Sequence, residues 1–266
     1  MKQWTKHDQE MMEFYSNFIS PGALCFDVGA NVGNRVKIFL SLGARVVAIE
    51  PQEQCVKVLR NLYGENRRLT LVEKALGARQ GQAEIKVAND DVISSMSPEW
   101  INAVRKSGRF SNYRWDAGRT VDVTTLDRLI EEYGIPAFVK IDVEGFEYEV
   151  VKGLSSSVKA LSLEFTPEFL DSTYNCLGYL GRLGKITLNY SLGESMQLAL
   201  DKWVRADEMI GILSRFKADY RIFGDVYVRF NEPNLISQWR IRSLHGLHTV
   251  FIDRMKSLRS LNRFVK

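Results

Sequence analysis

Histidine is nearly missing from this chain. Three occur in 266 residues, His7, His245 and His248, so none lies between residues 8 and 244. That weighs against a Ser-His-Asp hydrolase and against a histidine-ligated metallohydrolase in the body of the chain. Cysteine is scarce and odd in number. Cys25, Cys55 and Cys176 stand far apart with no C-x-x-C pair, which suggests neither a disulfide framework nor a zinc site. No apolar run reaches about 18 residues, so no membrane-spanning helix is expected. The opening MKQWTKHDQEMMEF lacks the apolar core of a secretory signal, and the expectation is a cytoplasmic protein. Internal repeats and low-complexity tracts are absent as well.

A basic body is also lacking. The net charge is +4, but residues 235–266 alone hold seven Lys/Arg and one Asp, leaving a slightly acidic remainder. The basic character belongs to the tail, and a nucleic-acid partner is not expected.

What the sequence does contain is alternation of strand and helix signals. Strands are expected at 23–29, 44–50 and 68–77, with an added antiparallel strand at 81–88 and further strands at 135–145, 158–165 and 224–230. A hairpin of 185–191 with 195–201 is also expected. Helices are expected at 34–43, 51–64, 125–134, 146–154, 174–184 and 205–216. This order argues for a mostly parallel sheet covered on both faces by helices. Residues 89–118 lack clear periodicity and read as an insertion or lid, or equally as a solvated loop with a few core anchors. The boundaries that follow are an N-terminal helical segment 1–20, a main domain 21–232 and a basic amphipathic helical tail 233–266.

The stretch CFDVGANVGN (25–34) runs from a strand into a glycine-marked turn and a helix. A dinucleotide fingerprint needs glycines where this chain has Asn31 and Asn34, and the Lys-Ser/Thr of a P-loop is absent. A nucleoside cofactor without phosphates tolerates the loop, and S-adenosylmethionine is one. Asp27 at the strand end can take its ammonium. Gly29 allows close backbone approach, and N–H groups of the turn, Asn31 through Gly33 to Asn34, can donate to its carboxylate. Glu50, with Pro51 after it, ends the second strand and can accept both ribose hydroxyls. Ala75, at the end of the third strand, leaves room for an adenine ring or simply packs in the core.

FDVGANVGN, AIEPQ, TLDRLIEEYGIPAFVKIDVEGFEYEVVKGL and GDVYVRF together resemble the FkbM family of S-adenosylmethionine-dependent methyltransferases over about residues 20–230. The resemblance implies a class I methyltransferase, Rossmann-like fold: a seven-stranded mostly parallel sheet with the last strand antiparallel. It also implies O-methylation of a hydroxyl on a sugar, polyketide or related metabolite.

KIDVEGFE (140–147) carries four ionisable side chains where a buried parallel strand should be apolar. Such charges need mutual pairing or a ligand. Methyl transfer to an alcohol needs alignment and a base, and without a core histidine the base is a carboxylate. Asp142 is the first choice, also as a cofactor contact, and Glu144 the second. Lys140 can lower the pKa of a neighbouring hydroxyl or pair with Asp142. If the strand stays regular, all three side chains share one side. A structural cluster fixing the strand-to-helix turn is the plainer alternative. Weaker candidates for the acceptor are Ser94, Ser95 and Glu164. No metal ligand set is assigned, and a divalent ion held by carboxylates is a minor alternative.

Residues 6–19 form an expected amphipathic helix, for packing or for covering the acceptor side. The tail places Leu244, Leu247, Phe251, Met255 and Leu258 on one helical stripe beside basic residues. It suits packing on the body, a homodimer contact, or peripheral contact with an anionic membrane or lipid-linked acceptor. The rival functions are a non-catalytic binding protein of the same fold, an NAD(P)-dependent oxidoreductase and, more weakly, an RNA methyltransferase.

Overall fold

The computed structural model describes residues 4–89 and 93–231, which fall in one compact unit. The basic tail 233–266 lies outside the described residues. No helix among the described residues is long and apolar enough to cross a membrane.

In chain order the elements are α1 (Lys6–Tyr15), β1 (Leu24–Val28), α2 (Asn34–Ser41), β2 (Arg45–Ile49), α3 (Glu53–Tyr63), β3 (Leu69–Val72), β4 (Ala75–Leu76), β5 (Gly81–Val87) and α4 (Pro98–Ser107). There follow β6 (Ala117–Thr124), α5 (Leu126–Tyr133), β7 (Phe138–Ile141), α6 (Glu147–Lys152), β8 (Ala160–Phe165), α7 (Leu170–Leu183), β9 (Ile186–Leu192), α8 (Ala206–Ser214) and β10 (Gly224–Phe230). The main sheet has seven strands in the order β3-β2-β1-β7-β8-β10-β9. β10 runs antiparallel to both neighbours, and the other pairs are parallel. Every residue of β1 and β7 is buried, as parallel strands covered on both faces must be. The expected seven-stranded sheet with its last strand reversed is therefore the observed one.

Local chemistry explains where helices begin. The Thr5 hydroxyl accepts from Asp8 N–H while the Asp8 carboxylate takes the Thr5 N–H, a reciprocal cap for α1. Thr125 caps α5 through Arg128 N–H at 3.2 Å. α1 and the segment that follows it then cover one face of the sheet with Phe14, Tyr15 and Phe18, whose rings meet Phe138 and Tyr227.

Three expectations change. The strand expected at 68–77 is broken in two: β3 ends at Val72, and β4 leaves the main sheet to join a second one, ordered β4-β6-β5. No strand forms at 195–201: β9 forms its ladder with β10, and the segment that follows it touches its other edge only at isolated bonds such as Ala199 N–H to the Tyr190 carbonyl. Residues 89–118 are not featureless. Ser97 caps α4 through Trp100 N–H, Pro98 opens it, and Gly108 ends it in a left-handed conformation. Trp100, Ile101, Val104 and Trp115 then bury themselves with Ile93 and Ala88 in a small core of their own. This insertion is tied to the body by Arg109, which donates to the nearly buried Glu168 carboxylate at 2.7 Å and to the Ile222 carbonyl at 2.6 Å.

The main sheet and its first loop meet at a single tight point. Gly29 has φ +77°, and a Cβ there would lie 1.8 Å from the Asp142 carbonyl oxygen. The neighbour is backbone and cannot swing away. Gly22 has nearly the same φ, +79°, with nothing within 4 Å of its missing Cβ. Gly29→Ala is expected to cost about 3 kcal/mol or more, against roughly 1 kcal/mol for Gly22→Ala, because only the first adds overpacking to the left-handed penalty. Urea denaturation of the two variants checks the difference.

Candidate active site

The site follows from the register of the strands. In parallel β1 and β7, Asp27 stands beside Lys140, and Lys140 stands beside Ser162 of β8. Ser162 faces Tyr227 of β10, which faces Asn189 of β9. Side chains two residues on return to the same face, so a second polar row follows, in which Glu164 faces Asp225 and Asp225 faces Ser191. Asp142, just past the end of β7, joins it. Polar side chains thus cross the sheet at the carboxyl ends of its parallel strands, the edge where open α/β sheets bind ligands.

A cavity of about 250 Å³ opens there. Its wall includes Asp27, Gly29, Asn31, Asn34, Glu50 and Pro51 from the β1 and β2 sides. Lys140, Asp142 and Glu144 line it from β7 and its turn. The second sheet and the insertion add Ala75, Leu76, Ile85, Ser94 and Met96. Of the residues expected from sequence, Gly33, Ser95 and Glu164 do not line it. A Cβ on Gly33 would meet Leu59 at 2.6 Å, so that glycine serves the packing of α2 on α3. Ser95 donates its hydroxyl to the Glu144 carbonyl at 2.6 Å and holds the turn from behind. Glu164 lines a small neighbouring cleft with Trp100 and Glu147.

Asp27 is 1% exposed, and neither carboxylate oxygen has a hydrogen-bond partner. Burial raises its pKa to about 6, although Lys140 and Arg35 pull it down. A buried carboxylate left without donors is costly, and a ligand ammonium would answer it. Glu50 is different. Its two oxygens accept the N–H groups of Asn31 and Gln52, each at 2.9 Å. That fixes the carboxylate at the cavity wall with lone pairs left for hydroxyls. Asn31 itself has φ +47°, in the left-handed region where asparagine is tolerated.

The β7 turn departs from the regular strand that alternation assumed. The strand stops at Ile141, and Glu144 adopts φ +52°, a costly conformation for a residue with a side chain. Two devices hold it there. The Glu147 carboxylate accepts the N–H groups of Val143 and Gly145, and Ser95 grips the Glu144 carbonyl. Gly145 then passes so close to Trp100 that a Cβ would lie 2.3 Å from it. The insertion is therefore the clamp that shapes the turn.

The turn still gathers the carboxylates. One oxygen from each of Asp142, Glu144 and Glu164 lies within 4.8 Å of the others. Lys140, itself buried, bonds Asp142 at 2.5 Å and keeps it ionised, its pKa lowered despite burial. Glu144 and Glu164 have no such cation. Burial first, then the Asp142 charge, pushes both well above the usual carboxylate range. Glu147 rises to about 7 and Asp225 to about 6, also chiefly by burial.

Sequence reasoning missed several contributors, Glu194 among them. Leu76, Ile85 and Met96 form the apolar wall with Ala75, and only the second sheet brings them together. Arg35, in the first turn of α2, lines the cavity and bonds Glu194 from the loop after β9 at 2.6 Å. A basic residue so close behind the glycine turn was the available signal.

The sequence pattern of the Methyltransferase FkbM domain matches residues 27–216. No relative among curated proteins matches the chain. Among solved structures, precorrin-6y C5,15-methyltransferase from Geobacter metallireducens superposes with TM-score 0.45 at 12% identity, covering 87% of this chain and 92% of that one. An rRNA methylase from Streptococcus thermophilus gives 0.44 at 11%, covering 87% and 99%. A SAM-dependent O-methyltransferase from Thermotoga maritima gives 0.42 at 10%, covering 88% and 69%. These are distant likenesses of fold. The family pattern spans most of the chain and starts at the unpartnered aspartate itself, so the protein belongs to the FkbM methyltransferase family and its cofactor is S-adenosylmethionine.

Proposed function

We propose that the protein methylates a hydroxyl group of a sugar, polyketide or related metabolite. The observation that carries this reading is the convergence of Asp142, Glu144 and Glu164 beside the unpartnered Asp27. S-Adenosylmethionine, when bound, supplies a methyl group on a positively charged sulfur, already activated for displacement. The chain's part is to hold both partners, exclude water and take a proton. Asp27 binds the ammonium, Glu50 the ribose hydroxyls, and Ala75, Leu76, Ile85 and Met96 the adenine.

The acceptor lies against the β7 turn, where a hydroxyl can donate to a carboxylate. Asp142 is committed to Lys140 and is a weak base. Glu144, whose proton affinity is raised by burial and by the Asp142 charge and which lines the cavity, is the stronger one. We assign the hydroxyl proton to Glu144, with Asp142 orienting the acceptor and Glu164 behind them. Three converging carboxylates oppose a phosphate-bearing acceptor, which supports a metabolite over a nucleic acid. The test is incubation with S-adenosylmethionine and a panel of hydroxylated sugars and polyketides, read by mass as the gain of one methyl group.

Two outcomes are expected. Glu144→Gln should lower turnover by about 10²- to 10⁴-fold while leaving the cofactor dissociation constant within about threefold, as calorimetric titration would show.

The second concerns pH. A carboxyl raised to about 6 in the folded state binds its proton more tightly there than in the unfolded chain. Its effect on stability is therefore unfavourable above that value, growing as pH rises from about 4 through 6. Asp27 faces Lys140 and Asp142 of β7 and its turn and Arg35 of α2, and it lies near Glu50. Asp27→Asn should make the ligand-free protein more stable at pH 8, by up to about 3 kcal/mol, with the gain fading toward pH 4. The same variant should lose cofactor affinity. Urea melts across pH, paired with titrations, check both.

A further inference from the structure

The amino-acid end of the cofactor carries two opposite charges, and Asp27 answers only one. The carboxylate was expected to rest on the N–H groups of the glycine turn. Most of those groups are already used. Asn31 N–H goes to Glu50 at 2.9 Å, Val32 N–H to the Asn31 side chain at 2.6 Å, and Gly33 N–H to the Ala30 carbonyl at 2.9 Å. That leaves Asn34 N–H, at the first position of α2 and in the cavity wall. One neutral N–H is a weak seat for a carboxylate, which needs a further donor.

Arg35 is in the right cavity and poorly explained by its own helix. A cation in the first turn of a helix opposes the helix dipole. Its side chain is only 11% exposed. A guanidinium has five N–H donors. Here Nε donates to the Tyr15 hydroxyl at 3.2 Å, Nη1 to the Met11 sulfur at 3.2 Å, and Nη2 to Glu194 at 2.6 Å. The thioether is a weak acceptor and the phenol a neutral one. The one anionic partner, Glu194, comes from the loop after β9 at the rim of the same cavity, and its side chain is 52% exposed. The cavity thus presents a buried anion with no partner, Asp27, and a buried cation whose only anionic hydrogen-bond partner reaches in from solvent.

We propose that Arg35 is the seat of the cofactor's carboxylate, and that Glu194 holds this seat until the cofactor arrives. The inference rests on S-adenosylmethionine as the cofactor. Asp27 and Arg35 together read the zwitterion. Binding exchanges one carboxylate for another on the same guanidinium, so the buried cation is never left alone, which would be costly. Glu194 is released to solvent, where an exposed carboxylate is well solvated. The exchange makes Glu194 an internal competitor of the cofactor.

Three ligands separate the charges: S-adenosylmethionine, its decarboxylated form, which keeps the ammonium, and 5′-methylthioadenosine, which has neither charge. Calorimetric titration of the full-length protein gives each affinity. Arg35→Met should weaken S-adenosylmethionine by about 10- to 100-fold, the range of a charge-assisted hydrogen bond. It should leave the other two ligands within about threefold, and Arg35→Lys should restore part of the loss. Asp27→Asn should weaken both amine-bearing ligands and spare methylthioadenosine. Glu194→Gln, at a half-exposed position that does not endanger folding, should tighten S-adenosylmethionine by about threefold to tenfold and leave methylthioadenosine unchanged.

Equal weakening of all three ligands by Arg35→Met, or none at all, overturns the assignment of the carboxylate. Unchanged or weakened S-adenosylmethionine binding in Glu194→Gln overturns the competitor role. Wild-type protein that binds none of the three overturns the cofactor reading, and this inference with it.

Discussion

The structure turns on the contact between Gly29 and the Asp142 carbonyl. It sits where the strand order reverses, between β1 and β7, so that chain connections leave the sheet in opposite directions. The crevice this opens is the natural place for a ligand. Closing the backbones to this distance lets Asp142 N–H reach the Val28 carbonyl and Gly29 N–H reach the Ile49 carbonyl. One loop is thereby pinned to both neighbouring strands. A side chain at position 29 would separate the strands that hold Asp27, Glu50 and Asp142. The glycine expected to admit a cofactor admits, first of all, the protein's own backbone.

Around that point the protein buries more charge than a stable core prefers. Asp27, Lys140, Asp142, Glu144, Glu164 and Asp225 are brought together by strand register and period-two alternation. Only some find partners: Lys140 neutralises Asp142, while Asp27 faces the cavity unpartnered. The result is a set of carboxyl groups displaced upward from their ordinary range by desolvation. Such displacement costs folding stability at neutral pH and suits groups that bind a cation or move a proton. Stability and function pull against each other at the same side chains.

The insertion between β5 and β6 shows a different logic. It is no part of the main sheet, yet it shapes the site twice. With the second sheet it supplies the apolar wall of the cavity, through Ala75, Leu76, Ile85 and Met96. Through Ser95 and Trp100 it also clamps the turn that carries Glu144 in a left-handed conformation. Its own small aromatic core and the Arg109–Glu168 pair let it hold that position. Little of this was legible in residues 89–118, because α4 is short and its apolar positions face an aromatic cluster drawn from beyond the helix.

The sequence by itself determined the order of the strands and helices outside residues 73–124 and 195–201, the reversed last strand expected from the family resemblance, and the two motifs around Asp27 and Asp142. Those features are local: periodicity, caps and glycine turns act over a few residues, and a motif is contiguous. Glu50 and Ala75, expected at the cofactor, and Lys140 and Glu144, expected at the chemistry, line the cavity. Tertiary structure alone decided the rest. The break after Val72, the pairing of β9 with β10 and the second sheet depend on which edge is free to accept hydrogen bonds. The meeting of Arg35 with Glu194, 159 residues apart, depends on a sheet that brings distant loops to one edge. Local rules specify what each segment prefers. Which unsatisfied groups face each other across a buried edge is settled only when the strands are in register.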